Sequence, residues 1–150
     1  RRPMRFVMYY KIFNNPYLHW FFKHINAIPI AGKKEDEAIY NAAFERIDEA
    51  LANDEVVCLF PEGKITKTGE LNTFRLGIEK ILEKRQVPVT PLALKGLWGS
   101  FFSHQGEGPF KPGGRFWSKI EVHAGLSLAP ENASAANLEQ NVLQLRGEKL

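Results

Sequence analysis

The chain predicts an α/β fold with a largely parallel sheet flanked by helices. Two observations carry this. Short apolar runs alternate along the chain with longer stretches of helical periodicity. Val56-Val57-Cys58-Leu59-Phe60 is an unbroken apolar run, the pattern of a strand buried on both faces in a parallel sheet. A third observation sets the scale: 150 residues, 44% hydrophobic, with one cysteine and no internal repeat, suit a single domain over 1–150 held by its core rather than by disulfides.

Each element follows from its own residues. Phe6 to Tyr10 reads as a short buried strand. After Asn14-Asn15-Pro16, Tyr17 to Ile25 reads as a short helix with the proline in its first turn. Ala27 to Ala31 is a second apolar run, ended by Gly32. Asp36 to Asn53 is the clearest helix: Ile39, Ala43, Ile47, Ala50 and Leu51 share a face, with Glu35, Asp36 and Glu37 at its positive N-terminal end. Pro61-Glu62-Gly63 then breaks the strand 56–60. Thr73 to Arg85 reads as a helix with Phe74, Ile78, Ile81 and Leu82 on one stripe. Val87 to Leu94 reads as a strand that Pro88 and Pro91 push toward an edge or an irregular end. From 120 to 124, Ile120, Val122 and Ala124 alternate with Glu121 and His123, which predicts a half-buried strand. Asn137 to Leu145 closes the pattern as a short helix. The Gly- and Pro-rich residues 99–118 read as a long loop, a candidate lid or contact surface.

Charge is strongly segregated. The net +3 averages a block of seven cations and no acid over residues 1–34 with nine acids and one arginine over 35–62. Most of the acids lie on the helix 36–53 and read as a solvated face. The basic block also holds eight of the eighteen aromatics, and six more lie in 96–117. Cations interleaved with Trp, Tyr and Phe suit the headgroup region of an anionic membrane, so residues 1–30 and 96–117 are expected to meet a membrane surface. The same interleaving suits single-stranded nucleic acid, but the acidic helix and the turn at Glu62 have no role there, and nucleic acid is not expected. No stretch approaches the ~18 apolar residues that span a bilayer. The chain opens Arg1-Arg2-Pro3 without an initiator Met and reads as a piece of a longer polypeptide.

Ligands in α/β sheets sit at the C-terminal ends of strands, and the strand 56–60 delivers Pro61-Glu62-Gly63-Lys64-Ile65-Thr66 there. One carboxylate, a glycine that a ligand can approach closely, a lysine and a hydroxyl suit a polar substrate carrying phosphate. The residues alone fit equally an ordinary turn with a solvated glutamate. Gly77, inside the expected helix, suggests close approach of a backbone or ligand, although helix-to-sheet packing explains it as well. Other templates fail. Cys58 and Ile65 stand where a phosphate-binding loop of the nucleotide type needs Gly and Ser or Thr, no dinucleotide or serine-hydrolase motif occurs, and no His or Cys pair has metal spacing. Cys58, in mid-strand, reads as a small core residue rather than a nucleophile.

At these residues the chain resembles the glycerolipid (lysophospholipid) acyltransferases. Leu59-Phe60-Pro61-Glu62-Gly63-Lys64-Ile65-Thr66, with Thr68-Gly69 and Phe74-Arg75-Leu76-Gly77 following, is similar to their third motif block. Asn26-Ala27-Ile28-Pro29-Ile30 resembles the second block and Val87-Pro88-Val89-Thr90-Pro91-Leu92 the fourth. The C-terminal third carries no such motif. The Lys-Ile-Thr variant resembles acyltransferase modules fused to a lysophospholipid transporter or an acyl-carrier-protein ligase.

The resemblance implies the family's αβ fold and transfer of an acyl chain from a thioester on coenzyme A or acyl carrier protein to a lysophospholipid hydroxyl, with no bound cofactor or metal. In the family a His-x-x-x-x-Asp motif does the chemistry, the His taking the hydroxyl proton. Five residues after His19, His24, His104 and His123 stand His24, Pro29, Pro109 and Leu128, so the motif is absent from 1–150. The expectation is a domain missing its N-terminal catalytic segment, with no catalytic residue here and no activity from 1–150 alone. Missing sheet elements would leave an unpaired edge, so self-association is also expected.

Carried over by position, Glu62 and Gly63 bind the glycerol-phosphate of the acceptor, Pro61 shapes the turn, and Lys64, Thr66, Lys33 and Lys34 complete the substrate site. Pro29, Ile30, Phe74, Arg75, Gly77 and Pro88 support the motifs or the acyl groove. Where the family often has arginines, this chain has Ile65 and Gly32. Fewer forks for phosphate favour a phosphodiester acceptor of the ethanolamine type over lysophosphatidic acid. The resemblance places the protein on the cytoplasmic side of the inner membrane, peripheral or within a membrane-embedded fusion. A non-catalytic lipid- or phosphate-binding module is the alternative reading.

Overall fold

In the computed structural model, residues 2–64, 66, 68–96 and 119–147 are described. The expected loop 99–118 and the membrane-contact residues 97–117 lie outside them. The chain divides into two compact units, Arg1–Pro61 with Lys80–Val87, and Glu62–Glu79 with Pro88–Leu150.

The first unit holds the parallel sheet. β1 (Met4–Tyr9) runs into a one-turn helix α1 (Tyr10–Phe13), then α2 (His19–His24), β2 (Ile28–Ile30), α3 (Glu37–Ala52) and β3 (Val56–Cys58). β1 is central and pairs in parallel with both neighbours, Val7 opposite Ile28 and Phe6 opposite Cys58. Parallel pairing requires crossover connections, and α3 is the crossover from β2 to β3. Pro29 lacks an N–H and is tolerated because β2 pairs on one side only among the described residues.

α3 realises the clearest signal in the sequence. Asp36 caps it, its carboxylate accepting the Ile39 N–H at 2.9 Å. Ala43 and Ile47 pack with Val7, Ile28 and Ile81 as a buried cluster, flanked by Ile30, Phe44, Leu51, Val57 and Leu59. The strand 56–60 is shorter and less buried than its composition predicts. It ends at Cys58, all three residues are half-buried, and Phe60 is 58% exposed. One face of β3 is covered by the cluster on α3, which accounts for half-burial rather than burial on both sides.

The helix expected from Tyr17 begins later, at His19. Asn15 holds the preceding turn, its side chain accepting the Tyr17 N–H and its carbonyl those of Leu18 and His19. Pro16 therefore lies in that turn and not in the helix.

The second unit is built on two antiparallel strands, β4 (Leu92–Lys95) and β5 (Glu121–Ala124), with α5 (Ala135–Arg146) packed on them. The expectation of a largely parallel sheet is met by β2-β1-β3, whereas β4 and β5 form a separate antiparallel pair. Pro88 and Pro91 act as expected: Val89 makes only an isolated bridge to Leu128, and β4 starts after Pro91. β5 alternates with the faces reversed, Glu121 and His123 half-buried and Val122 62% exposed. Glu121 is held by Lys119 at 2.6 Å and His123 at 3.0 Å, and its position opposite Lys95 keeps these polar groups together.

The helix expected over 73–85 is α4 (Gly77–Lys84). Residues 73–76 lie outside the helix, and the Phe74 N–H donates to the Glu139 carboxylate at 2.8 Å. Gly77 opens the helix and is not a glycine of the helix interior. The stripe itself is correct: Phe74, Ile78, Ile81 and Leu82 are all buried.

Candidate functional site

β3 leads through Leu59, Phe60 and Pro61 into the turn at Glu62 and Gly63. Glu62 is half-buried, and its Oε2 accepts two hydrogen bonds from one residue, the Asn72 backbone N–H at 2.8 Å and the Asn72 Nδ2 at 2.9 Å. The carboxylate thereby closes the loop 62–72. Thr66 closes it from within, its Oγ1 accepting the N–H groups of Thr68 at 3.3 Å and Gly69 at 3.1 Å. A hydroxyl that accepts two bonds still has its own proton to donate. The loop is tied further on, where Arg146 donates to the Gly69 carbonyl at 2.7 Å.

Gly63 has φ +62°, the left-handed region that glycine occupies without strain. A Cβ built there would lie 2.5 Å from Arg75 Nε, 2.8 Å from Cζ and 2.9 Å from Cδ. The glycine is what lets the Arg75 side chain lie across the turn. Arg75 and Lys64 are exposed, and neither has a hydrogen-bond or ion-pair partner among the described residues. The segment thus presents a braced turn with two unpaired cations. Phe74 is buried beside Arg75, and Gly77 opens α4 two residues later.

The remaining expected residues are placed as follows. Pro29 and Ile30 lie in β2, half-buried, Pro29 opposite Met8 and Ile30 opposite Tyr9. Lys33 pairs with Glu37 at 3.6 Å, and Lys34 is exposed. Pro61 is half-buried, and Pro88 is exposed next to the Val89 bridge. Ile65 is outside the described residues. Cys58 is half-buried at the end of β3, and burial pushes its thiol above the ordinary value, away from nucleophilic thiolate. Among the described residues no group of three or more His, Cys, Asp or Glu is arranged to hold a metal ion.

Two features were not read from the sequence. Asn72 carries no motif signal, and only its spacing from Glu62 within a Thr/Gly-rich loop hints at a clamp. The basic block is also less free than its +7 suggests. Arg2 pairs with Asp54, Arg5 with Glu55, Lys11 with Glu35 and Lys33 with Glu37, so four of its seven cations are neutralised by the acidic block. Hydrogen bonds from Arg5 hold the Glu55 carboxyl below its ordinary range, and those from Tyr9 and then Lys11 do the same for Glu35. The rings stay accessible: Tyr17 is 84% and Trp20 69% exposed, with Leu18 and Phe21 also exposed beside Lys23.

A model of the family described as Acyltransferase matches residues 1–95, more than half of the chain. The chain is 30% identical over 92 residues to the 1-acyl-sn-glycerol-3-phosphate acyltransferase BAT2, chloroplastic, of Brassica napus; the match covers 61% of the chain and 26% of that protein. The crystal structure of the 1-acyl-sn-glycerophosphate acyltransferase PlsC from Thermotoga maritima has the same fold, with a TM-score of 0.64 at 20% identity over 96% of the chain and 54% of that structure. The chain therefore spans about a quarter of the first relative and about half of the second.

Proposed function

The chain belongs to the acyltransferase family, and we propose that it forms the acceptor-binding part of an enzyme that moves a fatty acyl group from a thioester to the free hydroxyl of a lysophospholipid. The braced turn carries this reading. A hydroxyl oxygen attacking the thioester carbonyl forms the ester, the C–S bond breaks, and the hydroxyl proton leaves with the thiol. What the described residues contribute is position. Glu62 and Asn72 hold the turn, Lys64 and Arg75 are exposed cations with no partner among the described residues, and the phosphate of the acceptor is their natural partner. No histidine of 1–150 is followed five residues later by aspartate, so this reading assigns the segment no general base.

The acyl donor is coenzyme A or acyl carrier protein, and the acceptor is a phosphodiester lysophospholipid of the ethanolamine type in preference to lysophosphatidic acid, since Ile65 and Gly32 withhold two guanidinium forks. Tyr17, Leu18, Trp20 and Phe21, with Lys23, supply contact with the membrane on its cytoplasmic side, rings at headgroup depth and the cation toward anionic lipid. No helix among the described residues is long and apolar enough to cross a membrane.

The test uses the full natural polypeptide with acyl coenzyme A or acyl carrier protein and either lysophosphatidylethanolamine or lysophosphatidic acid, with the diacyl product followed by mass spectrometry. Ester formation on the ethanolamine acceptor, and none by residues 1–150 alone, is expected. Binding of lysophospholipid without any ester product would favour the non-catalytic module instead.

A further inference from the structure

Resting on the membrane contact in that reading, we propose that α2 binds anionic lipid more tightly as pH falls, through protonation of His19 and His24. α2 buries none of its six residues, and Tyr17, Leu18, Trp20 and Phe21 expose large apolar surface on it and just before it. So short a helix gains little from propensity, and this one gains little from packing. Its exposed rings fit the headgroup layer of a bilayer. Lys23 stands three residues and His24 four residues after Trp20, and His24 three after Phe21, so helix geometry puts both bases beside the rings.

The charges around α2 name the lipid. Phe13 of α1 packs on His19 and Phe22, and the one charge that α1 brings, Lys11, is held with the hydroxyls of Tyr9 and Tyr10 on Glu35. Residues 25–30, leading through β2, carry no charge, and β1 brings only Arg5, which is paired with Glu55. Among the described residues no carboxylate is hydrogen-bonded to or paired with His19, Lys23 or His24. Cations without a carboxylate suit an anionic surface. His19 donates its Nδ1–H to the Phe13 carbonyl at 3.1 Å, since a carbonyl only accepts. That bond leaves Nε2 to take the proton and persists in the imidazolium, which donates from both nitrogens. His24 is exposed. Histidine gains its charge between about pH 8 and 5. Acid therefore adds two charges to that of Lys23, beside rings that seat at headgroup depth.

The experiment titrates the full natural polypeptide, with Trp20 as its only tryptophan, with vesicles whose acyl chains are brominated, and reads the quenching of Trp20. With equal parts of phosphatidylcholine and phosphatidylglycerol, the lipid concentration at half quenching should fall roughly tenfold from about pH 7.5 to 5.5. With phosphatidylcholine alone it should stay level. His24→Gln should shrink the fall to about threefold, and His19→Gln combined with His24→Gln should abolish it. His24→Lys fixes the charge, so it should tighten binding at the higher pH and shrink the response. His123→Gln, at a histidine paired with Glu121 on β5, should keep the full fall. A fall that survives in the double variant would overturn the proposal, as would an equal fall on phosphatidylcholine. Quenching at the higher pH that does not deepen in acid overturns the acid response and leaves the membrane contact standing. No quenching at either pH removes both.

Discussion

Glu62 and Asn72 are joined twice through a single carboxylate oxygen, at 2.8 Å to the backbone N–H and 2.9 Å to the side-chain amide. The bond pair spans ten residues and makes the loop a closed unit. Removing it with Glu62→Ala should lower unfolding free energy by roughly 1–3 kcal/mol, the range for hydrogen bonds to a charged group in a half-buried setting. Glu62→Gln, which retains an acceptor oxygen, should lose less. Chemical denaturation of the three proteins measures both.

The capping bond from Asp36 to the Ile39 N–H starts the helix that carries the core. Asp36→Ala should cost about 1 kcal/mol. Ile47→Ala, deleting a side chain 1% exposed within the cluster of Val7, Ile28, Ala43 and Ile81, should cost about 2–5 kcal/mol. An Ile47 effect smaller than that of Asp36 in urea titrations would contradict the packing described.

Acid should weaken the fold progressively. Hydrogen bonds from Arg5, Tyr9 with Lys11, and Arg85 with Lys84 hold Glu55, Glu35 and Asp48 below their ordinary values, and Lys119 with His123 brings Glu121 down to about 2. A carboxyl whose value is lower in the folded state stabilises it when ionised. The contribution is complete above the ordinary values of 3.8–4.5 and is lost as pH falls through the lowered ones. The urea midpoint should therefore be flat from pH 7 to 5 and fall below about 4.5. Glu55→Gln should reduce that fall, and an unchanged pH profile would show that the Arg5 pair adds nothing.

Trp20 reports on the surface of the first unit. If Tyr17, Leu18, Trp20 and Phe21 seat in lipid, adding vesicles containing anionic lipid should shift Trp20 emission to the blue, and Trp20→Ala with Phe21→Ala should reduce co-sedimentation by roughly tenfold. The protein carries three tryptophans, so a variant retaining only Trp20 isolates the signal. Emission that does not move would remove this surface from the account.

The elements that the sequence made legible are those whose cause is local. The face of Ala43 and Ile47, the cap at Asp36 and the proline breaks at 88 and 91 are written within a few residues, and all appear in the structure. What was misread depended on distant partners. Thr73 to Leu76 have a helical pattern, yet Glu139 takes the Phe74 N–H from 65 residues away. β5 alternates as expected, but which face is covered is decided by β4 and α5 and not by the alternation. The seven cations of residues 1–34 look like one surface in sequence, while Asp54, Glu55, Glu35 and Glu37 reach back to neutralise four of them. At the turn, Glu62 and Gly63 were visible as a motif. The seat that Gly63 makes for Arg75 and the clamp at Asn72 needed the fold.

The central claim is that residues 62–75 form the acceptor site of an acyltransferase. Amide hydrogen exchange on the full natural polypeptide, with and without lysophosphatidylethanolamine, tests it most directly. Slowed exchange across the segment from Glu62 to Arg75, reduced in Arg75→Ala, is the predicted result. Protection that leaves this segment unchanged while the lipid is bound would contradict it.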